Sequence, residues 1–475
     1  MKMRGRRLGD ERVRIQRVKP EEYKAAPPPR SRRAWPPAVV LAFGFAVMIA
    51  IGTALLMLPA SSSAGEWTPL LDALFTATSA VCVTGLVVVN TGTYWSEFGH
   101  VVIVLLIQAG GFGFMASSTM LLLLVVRRRT RLRDRVLVQE TMGRGELGNV
   151  GGLIKRIALF TLLLEGTGAV ILAAAFAGQG QDPLGALWYG IFHAISAFNN
   201  AGFDLMGTFG QSSLRGFVDD FAVLGVIGVL IIFGGLGYAI VEDVFRNRRW
   251  ERLALETKVV VPTTIALVVG GSLTIALIEW NNPATLGAMP AQQRALNAIF
   301  ESVTLRTAGF SALDTAALLE PSLFIVMALM FIGGASGSTA GGIKVNTFGV
   351  LLIAIISTAF GRPSAEAFGR RIQHTVIYRA LAVALLFIAA LFTTGFVLEL
   401  ISQQPFVDVL FESVSALGTV GASRGITAEL PDMAHVVLII AMYVGRLGPL
   451  TLVLALTARA RPVAYRPAVE SMRIG

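Results

Sequence analysis

Apolar residues run for about 20 positions or more at eight places along this chain, roughly 38–58, 100–126, 157–178, 218–244, 259–279, 322–358, 378–401 and 433–458. A helix of about 20 residues crosses a hydrocarbon core of about 30 Å, so each run predicts a membrane-spanning helix. Basic polar segments divide the runs into four pairs. Within each pair lies a shorter amphipathic stretch that ends in glycine and small polar residues. These linkers are too short and too apolar for a soluble domain, and suit a helix that enters the membrane from outside and returns as a loop. The pattern predicts an all-α integral membrane protein of four helix–pore-loop–helix repeats, with eight transmembrane helices and four re-entrant pore helices. The repeats are expected at 37–135, 136–250, 251–370 and 371–475, after a basic tail at 1–36.

Aligned, the four linkers expose the repetition. They read Phe75-TATSAVCVT-Gly85, Phe192-HAISAFNNA-Gly202, Phe300-ESVTLRTA-Gly309 and Phe411-ESVSALGTV-Gly421. A Ser or Thr follows each Phe by four residues (Ser79, Ser196, Thr304, Ser415), and the glycine follows by ten, ten, nine and ten. The second helix of each unit also carries glycines: Gly110 to Gly113, Gly234 to Gly237, Gly333 to Gly337, and Gly445 with Gly448. Small residues let membrane helices pack closely, which is compatible with lining a pore.

Composition and charge narrow the function. Only 15% of residues are charged, far below a soluble chain. One cysteine excludes a disulfide scaffold, and four histidines without H-x-x-x-H spacing argue against a zinc enzyme. The net charge of +10 is not a nucleic-acid patch, because 34 of the 40 Lys and Arg lie in five segments beside apolar runs: 1–37, 127–156, 246–258, 362–379 and 459–473. By the positive-inside rule all five, and both termini, face the cytoplasm. Arg215, Arg294, Arg306 and Arg424 are expected on or near the opposite side. The run Pro37 to Leu58 exceeds the usual signal-peptide length of about 7–15 residues and reads as a membrane helix.

Four re-entrant loops around one axis are the makings of a cation pore. Irregular backbone at membrane depth is tolerated where it is buried or lines a water-filled cavity. Loop carbonyls aimed inward replace the hydration shell of an ion, and short helices turn their negative C-terminal ends toward it. Glycine suits the narrowest point because it has no side chain and accepts positive φ. Backbone oxygens then carry the chemistry, in keeping with a sequence that has no nucleophile–base pair or nucleotide motif. A secondary transporter of inverted repeats is the main rival. Here all four copies have the same orientation, which favours a pore.

The sequence resembles the superfamily of potassium transporters that includes the bacterial Ktr and Trk proteins and plant HKT proteins, most nearly the branch of the Ktr membrane subunit (KtrB). The matching stretches are 51–60 (IGTALLMLPA), 76–96 (TATSAVCVTGLVVVNTGTYWS), 199–204 (NNAGFD), 304–310 (TLRTAGF), 333–348 (GGASGSTAGGIKVNTF) and 418–421 (GTVG). The resemblance implies a potassium-binding selectivity filter at Val83, Thr84 and Gly85; Asn200, Ala201 and Gly202; Thr307, Ala308 and Gly309; and Thr419, Val420 and Gly421. Glycine rather than serine at 85 goes with potassium permeability in the HKT-type relatives. The differing residues before each glycine make strict fourfold symmetry impossible.

The third unit's second helix is interrupted at 333–346, where five glycines and three Ser or Thr fall within fourteen residues, too many for a straight stable helix. It is not a nucleotide P-loop, because Gly342 is followed by Ile343 and Lys344 by Val345. The resemblance implies an intramembrane gate of Gly333, Gly334, Ala335, Ser336, Gly337, Ser338, Thr339, Ala340, Gly341, Gly342, Lys344 and Arg446; a passive kink is the alternative. Arg446 lies mid-run, where a charge costs roughly 2.5–3.5 kcal/mol on insertion scales. Either it faces the pore as a barrier against the gate, or it satisfies the carbonyls of a broken helix. Lys344 is free to snorkel outward. Glu301 and Glu412 either gather cations at the outer mouth or serve as solvated or hydrogen-bonded pore-helix ends. Cys82 reads as a small apolar residue.

The resemblance further implies potassium uptake across the plasma membrane, a homodimer with one pore per subunit, and docking on a cytosolic ring of nucleotide-binding RCK (KtrA-like) subunits. The basic loops contact that ring or anionic lipid. Sodium stimulation, sodium-coupled transport and poor sodium/potassium discrimination stay open, and no cofactor is expected beyond the transported ion.

Overall fold

The computed structural model describes residues 37–129, 150–210 and 213–448. The tail expected at 1–36, most of the basic segment 127–156 and the segment 459–473 lie outside the described residues, so the charge pattern stands on sequence alone.

Each unit follows one plan. The first contains α1 (Pro37–Leu56), α2 (Leu70–Cys82) and α3 (Glu97–Arg129). The second contains α4 (Val150–Gly178), α5 (Pro183–Phe198) and α6 (Phe221–Asn247). The third contains α7 (Leu255–Glu279), α8 (Ala291–Thr304), α9 (Glu320–Phe331) and α10 (Val345–Ala359). The fourth contains α11 (His374–Ile401), α12 (Phe406–Gly418) and α13 (Asp432–Leu447). Among the described residues six helices are long and apolar enough to cross a membrane: α1, α3, α4, α6, α7 and α11. The other two runs have local reasons for falling short. The run 322–358 is split between α9 and α10, and α13 runs up to Leu447, just before residues outside the description.

Local signals place the ends of the short helices. Pro183 opens α5, with the Asp182 carboxylate accepting from the Gly185 N–H at 3.0 Å, and Asp220 caps α6 through the Ala222 and Val223 N–H groups. Helices α2 and α12 end on left-handed residues, Val83 and Thr419.

Packing is inverted relative to a soluble domain. Large apolar side chains face outward, with Leu277 81% and Phe392 72% exposed, while Thr78, Ser79, Ser196, Asn199, Ser302, Glu412 and Ser415 are buried. Lipid solvates the apolar exterior, so the polar groups must find partners inside. Apolar clusters join neighbouring units: α1–α3 with α13, α4–α6 with α8, and α8–α9 with α12. Tyr443 Oη donates to the Ala42 carbonyl at 2.7 Å, tying the fourth unit to the first. The units therefore close around one axis.

Candidate permeation site

The C-terminal ends of α2, α5, α8 and α12 lead into four short strands of irregular, non-helical chain that meet in a ring. A Cβ added to Gly85 would meet the Ala201 carbonyl oxygen and Gly202 Cα; on Gly202, the Ala308 oxygen and Gly309 Cα. On Gly309 it would meet the Val420 oxygen and Gly421 Cα, and on Gly421 the Thr84 oxygen and Gly85 Cα, which closes the circle. Every one of those carbonyls would be nearer than 3.0 Å. The glycines also have φ of 93°, 70°, 78° and 92°. Both close approach and left-handed backbone exclude a side chain. Two residues before each glycine, Val83, Asn200, Thr307 and Thr419 share positive φ.

The repeated hydroxyl holds each strand to its pore helix. Ser79 Oγ accepts from the Gly85 N–H at 3.0 Å and Ser415 Oγ from the Gly421 N–H at 3.1 Å. Ser196 Oγ and Thr304 Oγ1 donate instead to the carbonyls after the glycine, Phe203 at 2.7 Å and Phe310 at 2.8 Å. Thr84, Ala201 and Val420 each bond back to the carbonyl of their own unit's serine at 2.8 Å, five residues earlier, and Ala308 reaches Thr304 four residues earlier. The one-residue shortening of the third linker is absorbed between pore helix and ring. The glycines of the second helices seat these ends: a Cβ on Gly110, Gly234 or Gly445 would strike the carbonyl of Val81, Phe198 or Leu417.

Beside the ring the chain between α9 and α10 leaves the helix altogether. Its two ends pair, Gly333 N–H with the Ile343 carbonyl at 2.9 Å and Val345 N–H with Gly334 at 2.9 Å, so the break is a structured excursion rather than a kink. Thr339 Oγ1 donates to Asn200 Oδ1 at 3.0 Å, and the Gly341 N–H donates to Thr307 Oγ1 at 3.1 Å. Ala335 and Thr339 N–H groups reach the Gly235 and Gly234 carbonyls. Arg446 Nη1 donates to the Thr339 carbonyl at 2.5 Å and Nη2 to Gly110 at 3.2 Å. Bonds through Arg446, Asn200 and Thr307 thus anchor one segment to three of the ring-forming units, and Arg446 also reaches Gly110 of the remaining one. The side chains of Asn200 and Thr307 serve this segment.

A family model described as TrkH, cation transport protein, matches residues 30–461. The chain belongs to this family. It is 41% identical over 418 residues to the Ktr system potassium uptake protein B of Bacillus subtilis, covering 88% of this chain and 92% of that protein. It is 36% identical over 452 residues to the potassium/sodium uptake protein NtpJ of Enterococcus hirae, covering 94% and 99%. The fold is similar to the crystal structure of the potassium transporter TrkH from Vibrio parahaemolyticus, with TM-score 0.68 at 18% identity over 91% of this chain and 87% of that one. The protein is a multi-pass membrane cation transporter of the TrkH family and not an enzyme.

In this TrkH-family chain three cations are placed differently from expectation, or more narrowly. Arg446 is buried and satisfies carbonyls, as one of its two readings held, and one of those carbonyls belongs to the excursion. Lys344 does not snorkel away: its ammonium donates to the Ala340 carbonyl. Arg306 is not at the outer surface. It is buried behind the ring, with Nη2 donating to the Gly333 carbonyl at 2.7 Å. Its position inside the third linker motif was the available signal. A buried carboxylate also escaped notice: Asn199 Nδ2 donates to Glu165 Oε1 and Gln108 Oε1, both at 2.9 Å, behind the second strand.

Glu301 and Glu412 brace the outer loops. Glu301 Oε1 accepts from the Ala312 and Leu313 N–H groups at 3.0 Å. Glu412 accepts from Ser423 Oγ at 2.5 Å, Arg424 N–H at 3.2 Å and Thr427 Oγ1 at 2.9 Å. His193, at the same place in the second unit, accepts from the Leu205 N–H at 3.3 Å. Buried and accepting hydrogen bonds from the outer loops, these groups match the hydrogen-bonded pore-helix end rather than a cation-gathering mouth. Glu412→Ala leaves buried donors unpaired at about 1–3 kcal/mol. The variant is expected to melt several degrees lower with its potassium-to-sodium permeability ratio unchanged; a changed ratio at wild-type stability would restore the cation-gathering role. Cys82 is fully buried and unpaired, as a small apolar residue would be.

Proposed function

We propose that this chain takes up potassium across the plasma membrane through a channel-like pore whose filter is the ring at residues 83–85, 200–202, 307–309 and 419–421. The observation that carries the reading is the closed circle of four glycines, each against the carbonyl preceding the next. Four carbonyls at one level, backed by four helix C-termini, provide oxygens and negative potential where a cation sheds water. No coupling ion is required. One charge crossing 100 mV is worth about 2.3 kcal/mol, roughly a 50-fold gradient.

The segment 333–346, with Lys344 and Arg446, acts as the gate beneath the filter. Its bonds to several units support this role, since a segment so anchored moves only if several contacts exchange together. The four repeats span 37–135, 136–250, 251–370 and 371–475, with both termini on the cytoplasmic side. The chain works as a homodimer docked on a cytosolic RCK ring, a role in keeping with a relative named as one protein of a Ktr system. The name potassium/sodium uptake protein for another relative supports a second reading, a filter that passes both ions.

The test is ion uptake by liposomes containing the purified protein, under an imposed inside-negative potential. Uptake of potassium in excess of sodium supports the first reading, and equal uptake the second. Absence of uptake with either ion, in the presence of the cytosolic partner, contradicts both.

A further inference from the structure

We propose that the ring of Phe114 is the latch of the intramembrane segment, a positioning residue that holds Lys344 and Arg446 together through paired cation–π contacts. The inference deepens the gate reading above and rests on it. Arg446 Cζ stands 4.5 Å from the Phe114 ring centroid and Lys344 Nζ 5.0 Å. Phe114 comes from α3 of the first unit, Lys344 from the end of the excursion in the third, and Arg446 from α13 of the fourth. Three units therefore converge on one aromatic ring. That ring is buried and held edge-on by Phe45, with centroids 6.5 Å apart and planes at 90°.

Such a group suits the electrostatics of the pair. Both cations stand within 5.0 Å of one centroid, so they lie within about 10 Å of each other. Among the described residues neither has a carboxylate partner within 4.0 Å. Their hydrogen bonds among the described residues go to the carbonyls of Thr339, Gly110 and Ala340. Away from water, two like charges repel strongly. The negative face of an aromatic ring attracts both and offsets that repulsion without carrying a charge that would trap a passing cation. When the segment swings aside, Lys344 leaves Arg446 and the repulsion is relieved. Phe114 thus tips the balance toward the blocked arrangement, and leucine of similar bulk cannot.

The experiment measures potassium flux in proteoliposomes of the full chain without its cytosolic partner. Phe114 is replaced by leucine and, in a parallel series, by mono-, di- and trifluorinated phenylalanine, which drain the negative face at nearly constant volume. Flux is expected to rise with each fluorine, reaching about fivefold in the trifluoro and leucine variants, equivalent to about 1 kcal/mol. If leucine misfolds, the fluorinated series carries the test. A leucine effect without a graded fluorine response identifies packing alone and overturns the latch. Flat flux across the series while Arg446→Ala still raises flux overturns the latch and leaves the gate standing. Flat flux in Arg446→Ala as well removes the gate reading and the latch with it.

Discussion

Replacing Arg446 with alanine is expected to raise potassium flux through the purified protein by at least about tenfold. Arg446 does two things that oppose permeation in the proposed pore. Its guanidinium donates to the Thr339 carbonyl at 2.5 Å and so holds the excursion in place. It also puts a fixed, buried positive charge beside the excursion. A hydrogen bond to a charged group contributes about 1.5–3 kcal/mol, equivalent to roughly 10- to 150-fold in the population of the displaced segment. Loss of the charge barrier adds to this, and relief of the repulsion with Lys344 offsets part of it. Arg446→Gln keeps a donor to Thr339 but not the charge, so it should fall between wild type and alanine. Rubidium uptake at matched protein density gives the measurement. Unchanged uptake in a folded Arg446→Ala protein would remove both roles.

Gly85→Ser is expected to lower potassium flux by at least about tenfold and to move the permeability ratio toward sodium. A side chain at φ of 93° is strained by about 1–3 kcal/mol, and its Cβ would overlap the Ala201 carbonyl. One of the four carbonyls must then turn away or the ring must widen at one corner. Either change weakens the replacement of potassium's hydration shell more than it affects a partly hydrated sodium ion. Reversal potentials under bi-ionic conditions report the ratio. A folded Gly85→Ser protein with wild-type flux and ratio would place the selective step elsewhere.

Much of the fold was legible because the same local demand recurs four times. Each strand needs a hydroxyl at the pore-helix end and a glycine at the ring, which leaves Ser79, Ser196, Thr304 and Ser415 at fixed spacing from the glycines. The break at 333–346 was legible because so many glycines cannot sustain a helix. Partners made of backbone were not. Arg446, Lys344 and Arg306 all donate to carbonyls, which every residue has and which leave no mark in sequence. Phe114 was hidden for a related reason: one more aromatic in an apolar helix is indistinguishable from core until Arg446, more than 300 residues away, is seen above it. Glu301 and Glu412 carried a sign of charge but no sign of direction. Only the turn of the outer loops decides whether an acid at a pore-helix end faces ions or amides.

The proposed pore requires that a cation bind at the ring of four glycines. The most direct measurement is thallium density, thallium being a heavy substitute for potassium, in crystals of the purified protein grown with thallium in place of potassium. An anomalous peak is expected within the ring, among the carbonyls of Thr84, Ala201, Ala308 and Val420, as is its loss in Gly85→Ser. A peak confined to Glu165 and Asn199 behind the second strand, with the ring empty, would contradict it.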